Sequence, residues 1–310
     1  MEHIINVMVI HSHSGGYRTW DYISQHWKEF GNIQINMSFK KFVFISILLN
    51  NKRLNVRNIT KEILESENPD ILVFGDCAGA PYQFKLEELD SIESYLNENC
   101  NKHLLGTYAV FYHKEGPQGR VHEYDNRGLC KYFGIIPEIQ LVTSKMPHDP
   151  TYLINYQNPL LWKNIMQPYT SKGYSSSQVP KNGVWIENDQ VKGLKSDVKI
   201  LAETLDGKCI ITNKVTTKYT SLYISHMPEY ESMIGNKVDG QMLYNCLVYL
   251  MSQSLLLTLF SFFYILTSLD VETPLVNLCM KTLKYCKSKE EEIPLPLVKL
   301  LRQFQCVIEP

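Results

Sequence analysis

The sequence predicts a doubly wound, mainly parallel α/β sheet from the amino terminus to about residue 250, with a helical tail beyond it. Three observations predict this class. Residues 68–113 contain a complete strand–helix–strand unit, the chain opens on an apolar run that leads through a glycine-containing loop into helical spacing, and short apolar runs return between 198 and 226. Strands that alternate with amphipathic helices need cover on both faces of the sheet they form.

The first strand is Ile4 to Ile10, apolar throughout except Asn6, and it ends in His11-Ser12-His13-Ser14-Gly15-Gly16. Trp20, Ile23, Trp27 and Phe30 then set a helical spacing. The glycine pair matches neither a dinucleotide fingerprint nor a P-loop, because the other glycines and the lysine are absent, and no cofactor is expected. After Gly31-Asn32, the alternating run Ile33 to Met37 predicts a strand near the sheet edge. Phe42 to Leu49, flanked by Lys40-Lys41 and Lys52-Arg53, is too short to cross a bilayer as a helix. It is expected to be a buried strand or a local insertion, with a membrane-touching segment as the alternative, and its role is open. Asn58-Ile59-Thr60 is placed to start a helix through Ile63 and Leu64.

The central unit begins at Asn68-Pro69, where proline restrains the residue before it and ends the preceding helix. Asp70-Ile71-Leu72-Val73-Phe74 is a buried strand, and Gly75-Asp76-Cys77-Ala78-Gly79-Ala80-Pro81 is a loop of small residues. Leu86, Leu89, Ile92, Tyr95 and Leu96 keep a three-and-four spacing between Glu87, Glu88, Asp90 and Glu93, which predicts an amphipathic helix with an acidic start suited to its dipole. His103 to Phe111 supplies the second strand, so the unit is a parallel crossover. Lys114 to Arg127 is polar and glycine-rich, a long loop and candidate lid, before a short helical piece from Gly128 to Phe133 that closes with Gly134-Ile135.

From Pro147 to Pro180 the aromatics Tyr152, Tyr156, Trp162, Tyr169 and Tyr174 stand among Asn, Gln, Ser, Pro and Gly. They can stack on sugar rings or brace irregular loops. The sheet resumes with Val198 to Glu203, Cys209 to Thr212 and Ser221 to His226, the first two joined by the hairpin turn Asp206-Gly207.

Composition excludes several classes. Lys and Arg total 31 against 32 Asp and Glu, a balance that gives nucleic acid no basic surface as a whole. The eight cysteines are scattered, without CxxC spacing, which suits reduced thiols in a cytoplasmic protein rather than a disulfide framework or zinc site. Met1-Glu2-His3-Ile4-Ile5 carries no cleavable secretion leader.

A buried strand ending in Gly75-Asp76, an acidic helix and then Leu104-Leu105-Gly106-Thr107-Tyr108-Ala109 resembles the centre of the class I glutamine amidotransferase-like superfamily, in particular its trehalose-utilisation, or ThuA-like, branch. Leu129-Cys130-Lys131-Tyr132-Phe133-Gly134-Ile135 is similar to a ThuA-like segment as well. The resemblance covers about Ile4 to Tyr249 and implies a flavodoxin-like sheet. It implies a tight turn after the 103–106 strand where the amidotransferases carry a nucleophilic cysteine and ThuA-like proteins usually a histidine. Tyr108 stands there in this chain, which removes the thiolate that glutamine hydrolysis requires. In the amidotransferases a His-Pro-Glu completes the triad after the strand that corresponds to 221–226; here Met227 separates His226 from Pro228-Glu229.

With the strand order of that superfamily, His11, His13, Asp76, Tyr108, His113 and His226 fall at or just past carboxyl ends of parallel strands and face one crevice. Imidazoles and a carboxylate can exchange protons near neutral pH, and a phenol can donate to a substrate oxygen. The preferred roles are Tyr108 as hydrogen-bond donor or weak acid and His226 as general base oriented by Glu229. His11, His13, Asp76, His113 and His122 are the substrate contacts. Quieter readings stand beside these: Tyr108 fills space left by a lost catalytic group, His226 caps a turn, and Asp76 caps a helix. His11 and His13 could offer two metal ligands, but no third follows at an expected spacing, so no metal is assigned.

Gly240 to Leu269 contains no Asp, Glu, Lys or Arg, and 247–269 is long enough to cross a bilayer. Ser252, Gln253, Ser254, Thr258 and Ser261 dilute it, so a buried closing helix over Gln241 to Leu250 with an apolar extension is preferred to a membrane anchor or transmembrane helix. Within 273–304, Leu275 and Cys279 resemble the elongin-binding box of SOCS-box proteins, which would make this segment a protein-partner site; a helical hairpin covering the domain is the plainer reading. The organisation expected is an α/β domain over 1–250 and an apolar helical tail over 251–310. The function expected is a ThuA-like protein that binds or processes a sugar-derived small molecule in the cytoplasm without Cys-dependent glutaminase activity. The alternative is an inactive α/β interaction module whose tail recruits a partner or anchors it to a membrane.

Overall fold

The structure is a computed structural model of the chain. It describes residues 3–11, 17–30, 33–43, 45–49, 52–75, 84–99, 101–107, 110–111, 113–114, 124–136, 140–146, 151–154, 161–163, 165, 169–170, 184–190, 194–204, 209–225, 228 and 240–253. The chain divides into two compact units, Met1–Met251 and Ser252–Pro310.

The main sheet is built, in chain order, from β1 (His3–His11), β2 (Glu29–Phe30), β3 (Ile33–Val43), β4 (Ile71–Phe74), β5 (His103–Gly106), β6 (Thr151–Ile154), β7 (Tyr169–Thr170), β8 (Val198–Thr204), β9 (Cys209–Val215) and β10 (Thr220–Ile224). Their spatial order is β7-β6-β8-β9-β10-β5-β4-β1-β3-β2. β3, β1, β4, β5 and β10 are mutually parallel neighbours, while the pairs beyond β10 and the β2–β3 pair are antiparallel. Taken in sequence, the five parallel strands stand in the order 2-1-3-4-5, which is flavodoxin-like, and the sheet is doubly wound.

The helices are α1 (Tyr17–His26), α2 (Lys61–Glu67), α3 (Leu86–Glu98), α4 (Cys130–Phe133) and α5, residues 240–253. The crossovers β1-α1-β3 and β4-α3-β5 step in opposite directions across the sheet, so right-handed connections send α1 and α3 to opposite faces. The core follows. Val7, Val9, Ile71, Val73, Leu105 and Leu222 pack with Trp20, Ile23 and the buried run Met242 to Leu250. Met8, Ile10, Leu72, Phe74, Leu104 and Tyr223 pack on the other side with Leu64, Ile92, Tyr95, Leu96 and Phe133. Continuous apolar strands are what such two-sided burial requires.

Lys40 and Lys41, read from sequence as flanks of an apolar run, lie inside β3. They form ion pairs with helices α2 and α1 respectively, Lys40 with Glu67 and Lys41 with Asp21 at 2.5 Å. Consecutive strand residues point to opposite faces, so a lysine pair next to an edge strand can satisfy a carboxylate on each. The run Phe42 to Leu49 is divided: Phe42 is buried in the core, and Ile45–Leu49 pairs antiparallel with Lys52–Arg57 as a hairpin inserted between β3 and α2.

The polar segment after β5 contains a short ladder, His113–Lys114 with Tyr124–Asp125; residues 115–123 lie outside the described residues. Its end is a 3₁₀ turn, Arg127–Leu129, followed by α4 and Gly134 at φ +68°. That left-handed cap needs glycine twice over, since a Cβ there would lie 2.3 Å from Val198 Cγ2.

Among the aromatics of 147–180, Trp162 is buried in the core, and Tyr152 and Tyr169 are partners across the β6–β7 ladder. Tyr156 and Tyr174 lie outside the described residues. So does the turn at Asp206-Gly207, although β8 and β9 pair as the antiparallel neighbours it would join. Leu247, Val248, Tyr249 and Leu250 are buried against the sheet, so a bilayer anchor drawn over 247–269 would have to remove its first residues from the core. Among the described residues no helix is long and apolar enough to cross a membrane. Residues 254–310, with the segment 273–304, lie outside the described residues.

Candidate functional site

Parallel register brings the strand ends together. Ile10 on β1 stands beside Phe74 on β4, Phe74 beside Gly106 on β5, and Gly106 beside Tyr223 on β10. The ladder continues one residue past the strands: Gly75 N–H donates to the Ile10 carbonyl and Thr107 N–H to the Phe74 carbonyl, both at 3.0 Å. His11, Gly75, Thr107 and Ser225 therefore lie along one carboxyl rim. The order reverses between β1 and β4, where a doubly wound sheet opens its ligand crevice.

The turn after β5 is set by packing. Val110 N–H donates to the Thr107 carbonyl at 3.3 Å, so the chain reverses at once. Buried Val110 and Phe111 follow, with Phe111 4.7 Å from the Tyr223 ring and 5.5 Å from Phe133 between centroids. Phe133 closes over β5 so tightly that a Cβ at Gly106 would lie 2.9 Å from its Cζ and 3.2 Å from Tyr223 Cδ2. Glycine is thus required for this aromatic floor to sit directly under the rim.

Of the candidate residues, His11 is the last residue of β1 and pairs with Val43. His113 departs from expectation: it opens the short ladder opposite Asp125 rather than ending a strand of the main sheet, because the chain has already turned at 107–110. Tyr108, His226, Glu229, His13, Asp76 and His122 lie outside the described residues. Their chain neighbours Thr107, Ser225 and Gly75 stand on the rim just described, on adjacent strands β5, β10 and β4.

Sequence reasoning missed the side chains that hold this rim. Asn126, 2% exposed, accepts from Phe84 N–H at 2.9 Å and so ties the start of α3 to the segment before α4. Glu88, 1% exposed, accepts from Ile59 N–H at 2.8 Å and Lys85 N–H at 2.9 Å, joining the entries of α2 and α3. Glu at the third helical position is the one available signal for the second, as half of a capping box. Nothing in the pattern around Asn126 marks it. Ser225 Oγ donates to the Cys209 carbonyl at 3.3 Å. A cavity of about 220 Å³ lies beside these helix entries, lined by Asn58, Ile59, Thr60, Lys85, Glu87, Glu88 and Ser91.

Burial, assisted by Glu203, pushes the Cys209 thiol up to about 12, so the cysteine whose carbonyl meets Ser225 holds no thiolate at neutral pH. Among the described residues no group of three His, Cys, Asp or Glu is placed to hold a metal ion.

No protein-family model matches the chain, and no curated protein matches it. Solved structures do. A GMP synthase component from Thermoplasma acidophilum aligns at 10% identity with a TM-score of 0.44, covering 81% of this chain and 96% of its own. The carbohydrate deacetylase Agd3 aligns at 10% identity and TM-score 0.42, over 81% of this chain and 33% of its own. A β-galactosidase from Bacillus circulans sp. alkalophilus aligns at 11% identity and TM-score 0.41, over 76% of this chain and 30% of its own. The chain thus spans about a third of the length of these two carbohydrate enzymes.

Proposed function

We propose that the carboxyl rim of the parallel strands is a small-molecule site of ThuA-like character, which binds or processes a sugar-derived ligand without a cysteine nucleophile. One observation carries the reading: the parallel register aligns His11, Gly75, Thr107 and Ser225 along a single rim at a topological switch point. The chain leaves these positions directly into Asp76, Tyr108 and His226. In this reading Tyr108 donates a hydrogen bond to a substrate oxygen, and His226, oriented by Glu229, takes a proton from it. His11, His13, Asp76, His113 and His122 contact the ligand. The residue in the nucleophile position of the amidotransferases is a tyrosine, and a phenol cannot form the thioester that glutamine hydrolysis passes through.

A thermal-stability screen against sugars, keto sugars and glutamine tests this. A sugar-induced rise that Tyr108→Phe and His226→Ala both diminish is expected, with no response to glutamine. A rise that both substitutions leave intact would put the ligand elsewhere.

A further inference from the structure

The geometry points to the hairpin Ile45–Leu49/Lys52–Arg57 as a docking arm for an anionic lipid surface. Its two strands form a sheet of their own, separate from the main sheet that β3 belongs to. A lone two-stranded ladder is marginal in water and needs a further surface to take its apolar residues. The composition of the arm identifies that surface. Between Gly31 and Lys61 there is no Asp or Glu, while Lys40, Lys41, Lys52, Arg53, Arg57 and Lys61 are all basic. Three of these are already matched by carboxylates, Lys40 with Glu67, Lys41 with Asp21 and Lys61 with Glu98. The other three, Lys52, Arg53 and Arg57, all belong to the hairpin.

Its register then places leucine opposite cation at the tip, Leu48 with Arg53 and Leu49 with Lys52, and Ile47 with Leu54 one rung below. Two rungs that each join an aliphatic side chain to a cation fit the boundary between acyl chains and phosphate headgroups, where apolar burial and attraction to anionic lipid add together. A polynucleotide would use the cations but offers no apolar layer to the leucines. A second copy of the chain, docked hairpin to hairpin, would bring the same cations against one another. An anionic bilayer satisfies both.

Flotation of the full chain with phosphatidylcholine vesicles, with and without phosphatidylserine, tests the arm. Binding is expected only with phosphatidylserine and should weaken as salt is raised. Lys52→Gln and Arg53→Gln should each weaken it by about fivefold, and by about thirtyfold together. Lys131→Gln, which removes an exposed charge from α4, should change it less than about twofold. Leu48→Trp should give a blue-shifted emission with vesicles and be quenched by spin-labelled acyl chains. Four results would overturn the assignment: no vesicle binding, binding indifferent to the tip substitutions, tRNA binding that needs the cations but not Leu48 and Leu49, or a dimer that Leu48→Ser and Leu49→Ser dissolve.

Discussion

The two ends of the parallel sheet are built differently. At the amino end, side chains bind the strands to one another. Asp70 accepts from Asn6 N–H at 2.9 Å and lies 3.5 Å from Lys102 Nζ, Tyr95 donates its hydroxyl to the Pro69 carbonyl at 2.8 Å, and His103 Nδ1 accepts from Thr220 N–H at 3.2 Å. At the carboxyl end, the strands finish in backbone ladder bonds at Gly75 and Thr107, and the side-chain ties come from outside the parallel strands, at Glu88 and Asn126. The amino end is therefore where substitution should cost stability, and the carboxyl end is where chemistry can vary at little structural cost.

The largest effect expected is acid sensitivity through His103, at the amino end. Burial first, and the neighbouring Lys102 cation second, hold its imidazole down at about 4, against 6.5 for a free histidine, while the bond from Thr220 opposes them. Because the unfolded chain takes up the proton first, this contribution to stability is fully present above pH 6.5 and is lost as pH falls from 6.5 toward 4. The loss is about 3 kcal/mol at 1.36 kcal/mol per pKa unit. Urea unfolding between pH 7 and 4 should show it, and His103→Asn, which keeps an acceptor for Thr220 N–H but cannot be protonated there, should flatten the curve. Equal slopes for the two proteins would remove His103 as the cause.

Gly106 tests the aromatic floor beneath the rim. Gly106→Ala should cost about 2 kcal/mol, since Phe133 and Tyr223 are both buried and have little room to withdraw. The exposed Gly128→Ala meets only the far end of the Leu89 side chain, at 2.7 Å, and should cost less than about 0.5 kcal/mol. Similar costs would mean that the floor yields as easily as a surface. Tyr95→Phe, back at the amino end, leaves the Pro69 carbonyl without its buried donor and should cost about 1 kcal/mol by the same measurement.

Much of the difference between the two ends was hidden in the sequence. The strands were legible because double-sided burial leaves unbroken apolar runs such as Ile71 to Phe74, and the central helix because Ile92, Tyr95 and Leu96 keep its period. The site's location followed from the βαβ pattern and the parallel order that it implies. Long-range polar ties were not legible: Asn126 and Phe84 are 42 residues apart, and His103 and Thr220 are 117 apart. A hydrogen bond between distant residues leaves no periodicity. For the same reason the apolar run at Phe42 could not show that it divides at Val43, since a core residue and the first residues of a hairpin are equally aliphatic.

The smallest change in stability belongs to the candidate residues themselves, and it is the one that separates function from framework. Tyr108→Phe removes one hydroxyl and His226→Ala one ring, each just past a strand whose own ladder is closed by Thr107 and Ser225. Each should shift unfolding by less than about 0.5 kcal/mol, the range of substitutions that break no buried tie. Yet each should abolish most of the sugar-induced rise, because binding energy comes from contacts made only when ligand is present. A cost as large as that of Tyr95→Phe, with ligand response retained, would move these two residues into the framework and leave the rim without its chemistry.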